Sequence, residues 1–439
     1  MMSAGANPER ACEGDTVILG AGIIGLATAY YLSRSGGTRP ESIHVVDSSA
    51  ELFQCASGFA GGFLAKDWFA PSSASLGALS FGLHQELAEA HDGRRTWGYA
   101  PSTGISLSSV EDSESAVGGS GEDWLADGTS RAQATKSEKS VGAKGPVWLK
   151  MKEGLEVISQ KGTVAQIDPL RFCQWLLARC LERGVQLHHP VRAISVSRDA
   201  ESQLSGIRIS KNGTETECMY RPLLNRHLLT ITVPCTRLVI TSGAWSPRVF
   251  STIFPKSTTR IPISSLAGHS LLVRNHYHSP ENADTEVCHA LFATDDVGFS
   301  PELFSRVGGE LYLAGLNSTT IPLPEQSSDV KIKADAIEQM KKCAAGMIGA
   351  VDGKDMEVLR EALCFRPVTA SGRPLVCRIP DAKLGGGLKT RGDGEGGVFL
   401  AAGHGAWGIC QAPGTGLVMA ELIEGRPTSA NISALVLPS

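Results

Sequence analysis

The sequence predicts an α/β fold in which strand–helix units at both ends and in the middle of the chain bracket strand-rich segments. Three observations carry this. A short apolar run, Asp15 to Leu19, leads into Gly20-Ala-Gly22-Ile-Ile-Gly25, an apolar helical stretch and a second apolar run, Ile43 to Val46. Further strand–helix patterns stand near Leu238–Ile240 and Val398–Ala402. Between about 252 and 325 the alternation is that of strands broken by polar turns, as in Ser270–Val273 and Glu310–Leu313.

Composition narrows the field. At ~100–200 residues per domain, 439 residues suggest two or three domains or one large interleaved unit. Apolar residues make up 42% and charged residues 20%, which permits a packed core. A net charge of −4 argues against a nucleic-acid binder or a polybasic membrane anchor. The 11 cysteines include no Cys-x-x-Cys pair, so neither a zinc ribbon nor a disulfide framework is expected. The segment Thr16–Ser33 is uncharged and imitates a membrane span, but its glycines favour a buried strand, turn and helix. The opening residues lack an apolar secretory core, and the expected compartment is cytoplasmic.

The elements follow in order. The first strand ends at Leu19, the turn occupies Gly20 to Gly25, and a helix runs from Leu26 to about Arg34. The second strand ends at Asp47. Residues 108–146 are rich in Ser, Gly, Glu, Asp, Ala and Lys and are expected to form a disordered insertion. Gly385–Gly397 reads as a shorter insertion of the same kind. Leu170, Cys173, Leu177, Cys180 and Leu181 share one helical face, giving a helix over Asp168–Arg183 capped by Gly184. Val185–Leu187 and Ala193–Val196 read as strands, Asp329–Met347 as a helix and Thr415–Ile423 as the last helix.

The glycine turn carries the first chemistry. It follows a strand, opens a helix and precedes a strand that ends on an acid, as in a Rossmann-like dinucleotide-binding unit. Gly20 permits the tight turn, Gly22 a close approach of pyrophosphate, and Gly25 close helix–strand packing. The helix N-terminus then faces the phosphates, and Asp47 is placed to accept from a ribose. The unit alone does not choose between NAD and FAD.

Two further motifs make that choice. They are Cys55-Ala-Ser57-Gly-Phe-Ala-Gly61-Gly62-Phe-Leu64 and Gly403-His404-Gly-Ala-Trp407-Gly408-Ile409-Cys-Gln-Ala-Pro413-Gly-Thr415-Gly416. With the turn, they resemble the D-amino acid oxidase/glycine oxidase (DAO) superfamily of FAD-dependent oxidoreductases. Asp168-Pro169, Val191, Gly243-Ala-Trp245-Ser246 and Cys364-Phe-Arg366-Pro367 match it in the same order. The resemblance covers nearly the whole chain outside 108–146 and the first dozen residues. It is closest to fungal, yeast-type oxidoreductases whose substrates no motif defines.

The resemblance implies FAD as cofactor. It implies cofactor contacts at Gly20, Gly22, Ile23, Ile24, Gly25, Asp47 and Ser48, at Ser57, Gly61 and Gly62, and at Val191, Gly243 and Trp245. It also implies them at Cys364, Gly403, Trp407, Gly408, Ile409 and Thr415. Pro413–Gly416 is read as opening the last helix, with its dipole toward the flavin. Arg366 is the implied catalytic-site residue, holding a substrate carboxylate bidentately; a structural pair with an acid is the other reading. Cys364 sits where one branch links flavin covalently, or is a buried, inert cysteine. His404 reads as a turn histidine rather than an acid–base group, and Lys66 as a surface lysine. No histidine set has metal-ligand spacing, so no metal is expected.

The implied architecture is a Rossmann-like FAD domain from 13–83, 164–250 and 362–432. It interleaves with a mainly antiparallel α+β substrate domain from 84–163 and 251–361, after a flexible 1–12. The implied reaction oxidises the C–N bond of an amine or amino acid by hydride transfer to the flavin. Electrons then pass to oxygen or another acceptor. The alternatives are a regulatory or trafficking-associated FAD protein with little turnover, and a flavin dehydrogenase acting on another small substrate. Oligomeric state stays open.

Overall fold

The computed structural model describes residues 14–107, 140–141, 145–151, 153–159, 162–211, 230–278, 281, 286–293, 299–349, 356–392 and 394–438. The flexible N-terminus expected over 1–12, and 108–139 of the expected insertion, lie outside them.

In chain order the first half opens with β1 (Thr16–Leu19), α1 (Ile23–Arg34), β2 (Ile43–Val46), α2 (Ala56–Phe59), β3 (Phe63–Ala65) and α3 (Pro71–Ala90). It continues with α4 (Gly93–Trp97), β4 (Ala100–Leu107), β5 (Ser140–Val141), β6 (Leu155–Val157), β7 (Val164–Gln166) and α5 (Pro169–Glu182). Then come β8 (Gln186–His188), β9 (Val191–Arg198), β10 (Leu204–Lys211), β11 (Thr230–Pro234), β12 (Arg237–Ile240) and α6 (Ser246–Ile253). The rest is β13 (Ser264–Arg274), β14 (Cys288–Ala293), β15 (Glu302–Arg306), β16 (Glu310–Ala314), β17 (Asn317–Ser318) and α7 (Ala334–Met347). It closes with β18 (Val358–Val368), β19 (Leu375–Ile379), β20 (Gly397–Ala402) and α8 (Gly408–Ile423).

One sheet runs β19-β20-β12-β1-β2-β8, parallel except for the edge pair β19–β20. Its central strands β1 and β12 are buried along their whole length because both faces are covered. Ile18 and Val239 face a core built from α1, α3, α5 and α8. Val17, Leu19, Leu238 and Ile240 face the opposite core, which includes the three-stranded sheet β9–β11 and α6. At the head of α5 the Asp168 carboxylate accepts from the Leu170 and Arg171 amides at 2.9 and 3.3 Å, an N-cap before Pro169.

A second, larger and mainly antiparallel sheet contains β13 to β18 with β4 to β7 and β3. Leu271, Leu303, Leu311 and Leu313 pack against α7. Alternate positions Phe304 and Tyr312 point to the other face, with Phe63, Phe292 and Trp68. β18, carrying Cys364 and Arg366, pairs antiparallel with β13 along most of its length.

Several expected boundaries move. α1 starts at Ile23 rather than Leu26, because extended Gly22 serves as its N-cap. α7 starts at Ala334, after a separate short 3-10 turn at Ser327–Asp329 closed by a Gln326/Asp329 capping box. β8 and β9 are shifted or longer than expected. The end of the 108–146 stretch is ordered at Ser140–Val141, where it pairs with β6. The Gly385–Gly397 stretch is also anchored. Leu384 and Leu388 are buried, and the Asp381 carboxylate accepts from the Thr390 amide at 2.9 Å.

The largest correction concerns α8. It begins at Gly408, so Pro413 lies inside it and Pro413–Gly416 does not open it. α3, which low amphipathicity hides from the sequence pattern, packs along it. No helix among the described residues is long and apolar enough to cross a membrane.

Candidate functional site

The carboxyl ends of β1, β2 and β12 converge where the glycine turn leaves the sheet. Gly20 has φ +118°, and a Cβ there would stand 2.8 Å from the Thr241 carbonyl oxygen. A Cβ on Gly25 would stand 2.0 Å from the Gly20 oxygen, so only glycine lets α1 start this close to the turn. The Ile23 amide donates to Ser57 Oγ at 3.0 Å. Thr241 and Ser242 donate their hydroxyls to the Leu19 oxygen at 3.1 and 2.7 Å.

Asp47 has a double role. Its Oδ2 accepts from the Ala21 amide at 2.8 Å, and its Oδ1 accepts from the Ser49 amide at 2.9 Å. Its main-chain oxygen accepts from Val191. The carboxylate therefore sets the glycine turn as well as facing the space beside it.

That space is a cavity of about 280 Å³. It starts beside Gly20, Gly22, Ile23, Ile24, Asp47 and Ser48. Ser57, Gly61 and Gly62 also line it, as do Val191, Gly243 and Trp245. It reaches Cys364 and Arg366 of β18, and Gly408 and Ile409 at the start of α8. Pieces more than 300 residues apart in sequence meet there.

Four expected residues do not line it. Gly25 is consumed by packing. Gly403 follows the end of β20, and a Cβ on it would face Thr369 at 2.8 Å. Trp407 turns toward Phe69, with ring centroids 4.9 Å apart. Thr415 is buried two turns inside α8, its hydroxyl 3.1 Å from His404 Nε2. The last two displacements follow from the early start of α8, which puts its N-terminal dipole at Gly408–Ile409.

Arg366 answers a question the sequence left open. Its Nη1 donates to Asn317 Oδ1 at 2.7 Å, a neutral amide rather than an acid. The guanidinium lies over Gly268, where a Cβ would stand 2.0 Å from Nη1. The charge is thus placed at the cavity and held by an uncharged partner.

Two groups at the Arg366 end of the cavity, Cys364 and His404, are neutral. Burial pushes the Cys364 thiol up against the opposing effect of Arg366, so it stands as a thiol rather than a thiolate. Burial pushes His404 down to about 3, which removes it as a base near neutrality. Lys66 is exposed. Among the described residues no group of three or more His, Cys, Asp and Glu side chains could hold a metal ion.

Phe304, Tyr312 and Glu302 also line the cavity, and sequence reasoning missed them. Their alternation along β15 and β16 was legible, but which face meets the glycine turn depends on how the two sheets pack.

The cavity fits FAD. It is an extended space with a helix N-terminus and side-chain-free glycines at one end for phosphates. A second helix N-terminus and an arginine stand at the other. A Cβ on Gly22 would stand 3.0 Å from Ser57 Oγ, so the bare backbone keeps the passage open.

Comparison with known proteins agrees. The family model DAO, FAD dependent oxidoreductase, matches residues 15–422. "Putative oxidoreductase C1F5.03c" of Schizosaccharomyces pombe is 27% identical over 425 residues, covering 95% of this chain and 96% of that protein. Glycine oxidase from Geobacillus kaustophilus superposes with a TM-score of 0.65 at 18% identity, covering 97% of this chain and 98% of that one. L-proline dehydrogenase from P. horikoshii gives 0.65 at 13% identity, covering 96% of each chain. At these identities the two structures share the fold.

Proposed function

The chain belongs to the DAO family of FAD-dependent oxidoreductases, and from that premise we propose that it oxidises the C–N bond of a carboxylated amine, an amino acid or N-substituted amino acid. The observation that carries this reading is Arg366, a cation aimed into the cofactor cavity with a neutral amide as its partner. A planar guanidinium so placed offers a carboxylate two parallel hydrogen bonds, which fix the orientation of the carbon bearing nitrogen.

Bound FAD supplies the acceptor for the hydride that leaves that carbon. Asn317 holds Arg366 at its Nη1 and leaves the rest of the fork for substrate. The start of α8 at Gly408 and Ile409 directs main-chain donors and the positive end of its dipole into the cavity, where negative charge accumulates as the substrate is oxidised. Phe304 and Tyr312 wall the cavity with aromatic surface and limit water. The substrate leaves as an imine, which water hydrolyses to a carbonyl compound and ammonia or an amine.

The test is anaerobic. The FAD-loaded protein is mixed with D-, L- and N-methyl amino acids and with matching amines lacking the carboxylate. Bleaching of the flavin band by a carboxylated member, and not by its decarboxylated analogue, is the expected result. Bleaching by the analogues alone removes the role given to Arg366. Admission of oxygen afterwards, with peroxide assayed, separates an oxidase from a dehydrogenase.

A further inference from the structure

The loop from α2 to β3 lines the cofactor cavity, yet its carbonyls are held from the opposite sheet. Tyr312 Oη donates to the Phe59 oxygen at 3.0 Å. Arg306 Nη2 donates to the Ala60 oxygen at 2.7 Å and to the Gly61 oxygen at 3.1 Å, with Nε 3.3 Å from the latter. Gln166 Nε2 donates to the same Gly61 oxygen at 2.7 Å. Arg360 Nη1 lies farther off, 3.5 Å from the Gly58 oxygen, with its guanidinium 5.1 Å from the Phe59 ring centroid.

Arg306 is an unusual residue to find there, because its side chain is only 3% exposed. A buried guanidinium is costly unless its donors are met and its charge is balanced. Its Nη1 stands 4.0 Å from Asp168 and 3.8 Å from Glu310, and the guanidinium lies 5.2 Å from the Tyr312 ring centroid. Asp168 is also the N-cap of α5. One side chain thus ties the larger sheet to α5 and to the cofactor loop.

A trans peptide is planar, so its carbonyl and the next residue's N–H point in opposite directions. Fixing the carbonyls of Phe59, Ala60 and Gly61 therefore fixes the N–H directions of Ala60, Gly61 and Gly62. Those three residues line the cavity. We propose that Arg306 and Tyr312 are positioning residues for the cofactor: from the substrate-side sheet they aim the Ala60, Gly61 and Gly62 amides as preorganised donors to FAD. The substrate-side sheet is then part of the FAD site. This rests on FAD as cofactor and is independent of the substrate reading.

The test measures cofactor binding without substrate. Apoprotein is titrated with FAD for the wild type, Arg306→Gln, Arg306→Lys, Tyr312→Phe and Leu303→Ala. Leu303 is fully buried on the other face of the same strand and serves as a control for stability alone. The expected result is at least a tenfold weaker FAD dissociation constant for R306Q, about threefold for Y312F, and partial recovery for R306K. L303A lowers the melting temperature but keeps FAD affinity within twofold. The bound flavin's visible band shifts in R306Q and Y312F and not in L303A. Y312F removes one hydroxyl and keeps the ring, so it stays informative should R306Q fail to fold. FAD affinity and band position unchanged in Y312F and R306K, or an equal loss of affinity in L303A, overturns the proposal.

Discussion

His84 of α3 donates its Nε2–H to the carbonyl oxygen of Ile409 across 3.0 Å. That carbonyl needs an outside donor, because its helical partner would be the amide of residue 413, and Pro413 has none. Ser80, one turn earlier on α3, donates to the Cys410 oxygen at 2.7 Å and accepts from the Gly414 amide at 3.0 Å. Two side chains of one helix thus carry the ladder of another past its proline, and Ile409 at the cavity is placed by both.

Replacing His84 by Ala leaves a buried carbonyl unpaired, at a cost of about 1–3 kcal/mol. Replacing Pro413 by Ala restores an amide that can take over. In a double-mutant cycle read by urea melts, P413A is expected to recover about 1 kcal/mol in the H84A background and not in the wild type. Strict additivity would refute the coupling.

Burial holds His84 down to about 4 and His404 to about 3, against about 6.5 for a free histidine. Below pH 6.5 the unfolded chain takes up protons that these folded histidines refuse. Stability therefore falls as pH drops from about 6.5 toward 4, by roughly 1.4 kcal/mol per pH unit for each histidine. His84→Gln keeps a donor for Ile409 and is expected to flatten the curve by one histidine's share. Equal slopes in wild type and variant between pH 6.5 and 4.5 would show that His84 titrates normally.

Gly268 gives a test of Arg366 that leaves Arg366 in place. A methyl there occupies the position of Nη1 and forces the guanidinium to move. G268A and R366Q are both expected to raise KM for a carboxylated substrate at least tenfold, roughly 1.4 kcal/mol or more. FAD affinity should change less than twofold in either. A loss of FAD affinity matching the loss in KM would place Arg366 with the cofactor instead.

The segment from Pro324 to Ser327 flanks the cavity near Val191. Trp245 Nε1 donates to the Pro324 oxygen at 3.0 Å, and Arg192 pairs with Glu325 at 2.8 Å in an exposed ion pair. Exposed pairs contribute ~0–1 kcal/mol, so R192A should change FAD release less than about fivefold. Trp245→Phe removes the more sheltered bond and should speed release more than R192A does. Release rates from stopped-flow fluorescence, ranked the other way, would contradict this assignment.

Much of the nucleotide-binding half was legible because its signals are local. The strand, Gly20–Gly25, α1 and the acid closing β2 are adjacent in sequence, and each glycine has a steric reason visible within one βαβ unit. α5 was legible for the same reason, although only the structure shows Asp168 as its N-cap rather than its first residue. α3 was not, because its small residues Ser73, Gly77 and Ser80 give a weak apolar stripe; they are small so that Phe69 and α8 can approach. The start of α8 was misplaced because a proline usually marks a helix's first turn. Only His84 and Ser80, more than 320 residues away, make Pro413 tolerable deep inside one.

The sequence by itself determined a dinucleotide-binding turn and its residues, since a main-chain cradle for phosphate is written in short-range spacing; FAD rather than NAD came from the family resemblance. Tertiary structure alone decided that Arg366 has an amide and not an acid beside it. It also decided that Trp407 and Thr415 turn away from the cavity, and that Arg306 reaches the cavity-lining loop from another sheet. Those are questions of which surfaces meet, and that is settled by the packing of two sheets rather than by any run of neighbouring residues.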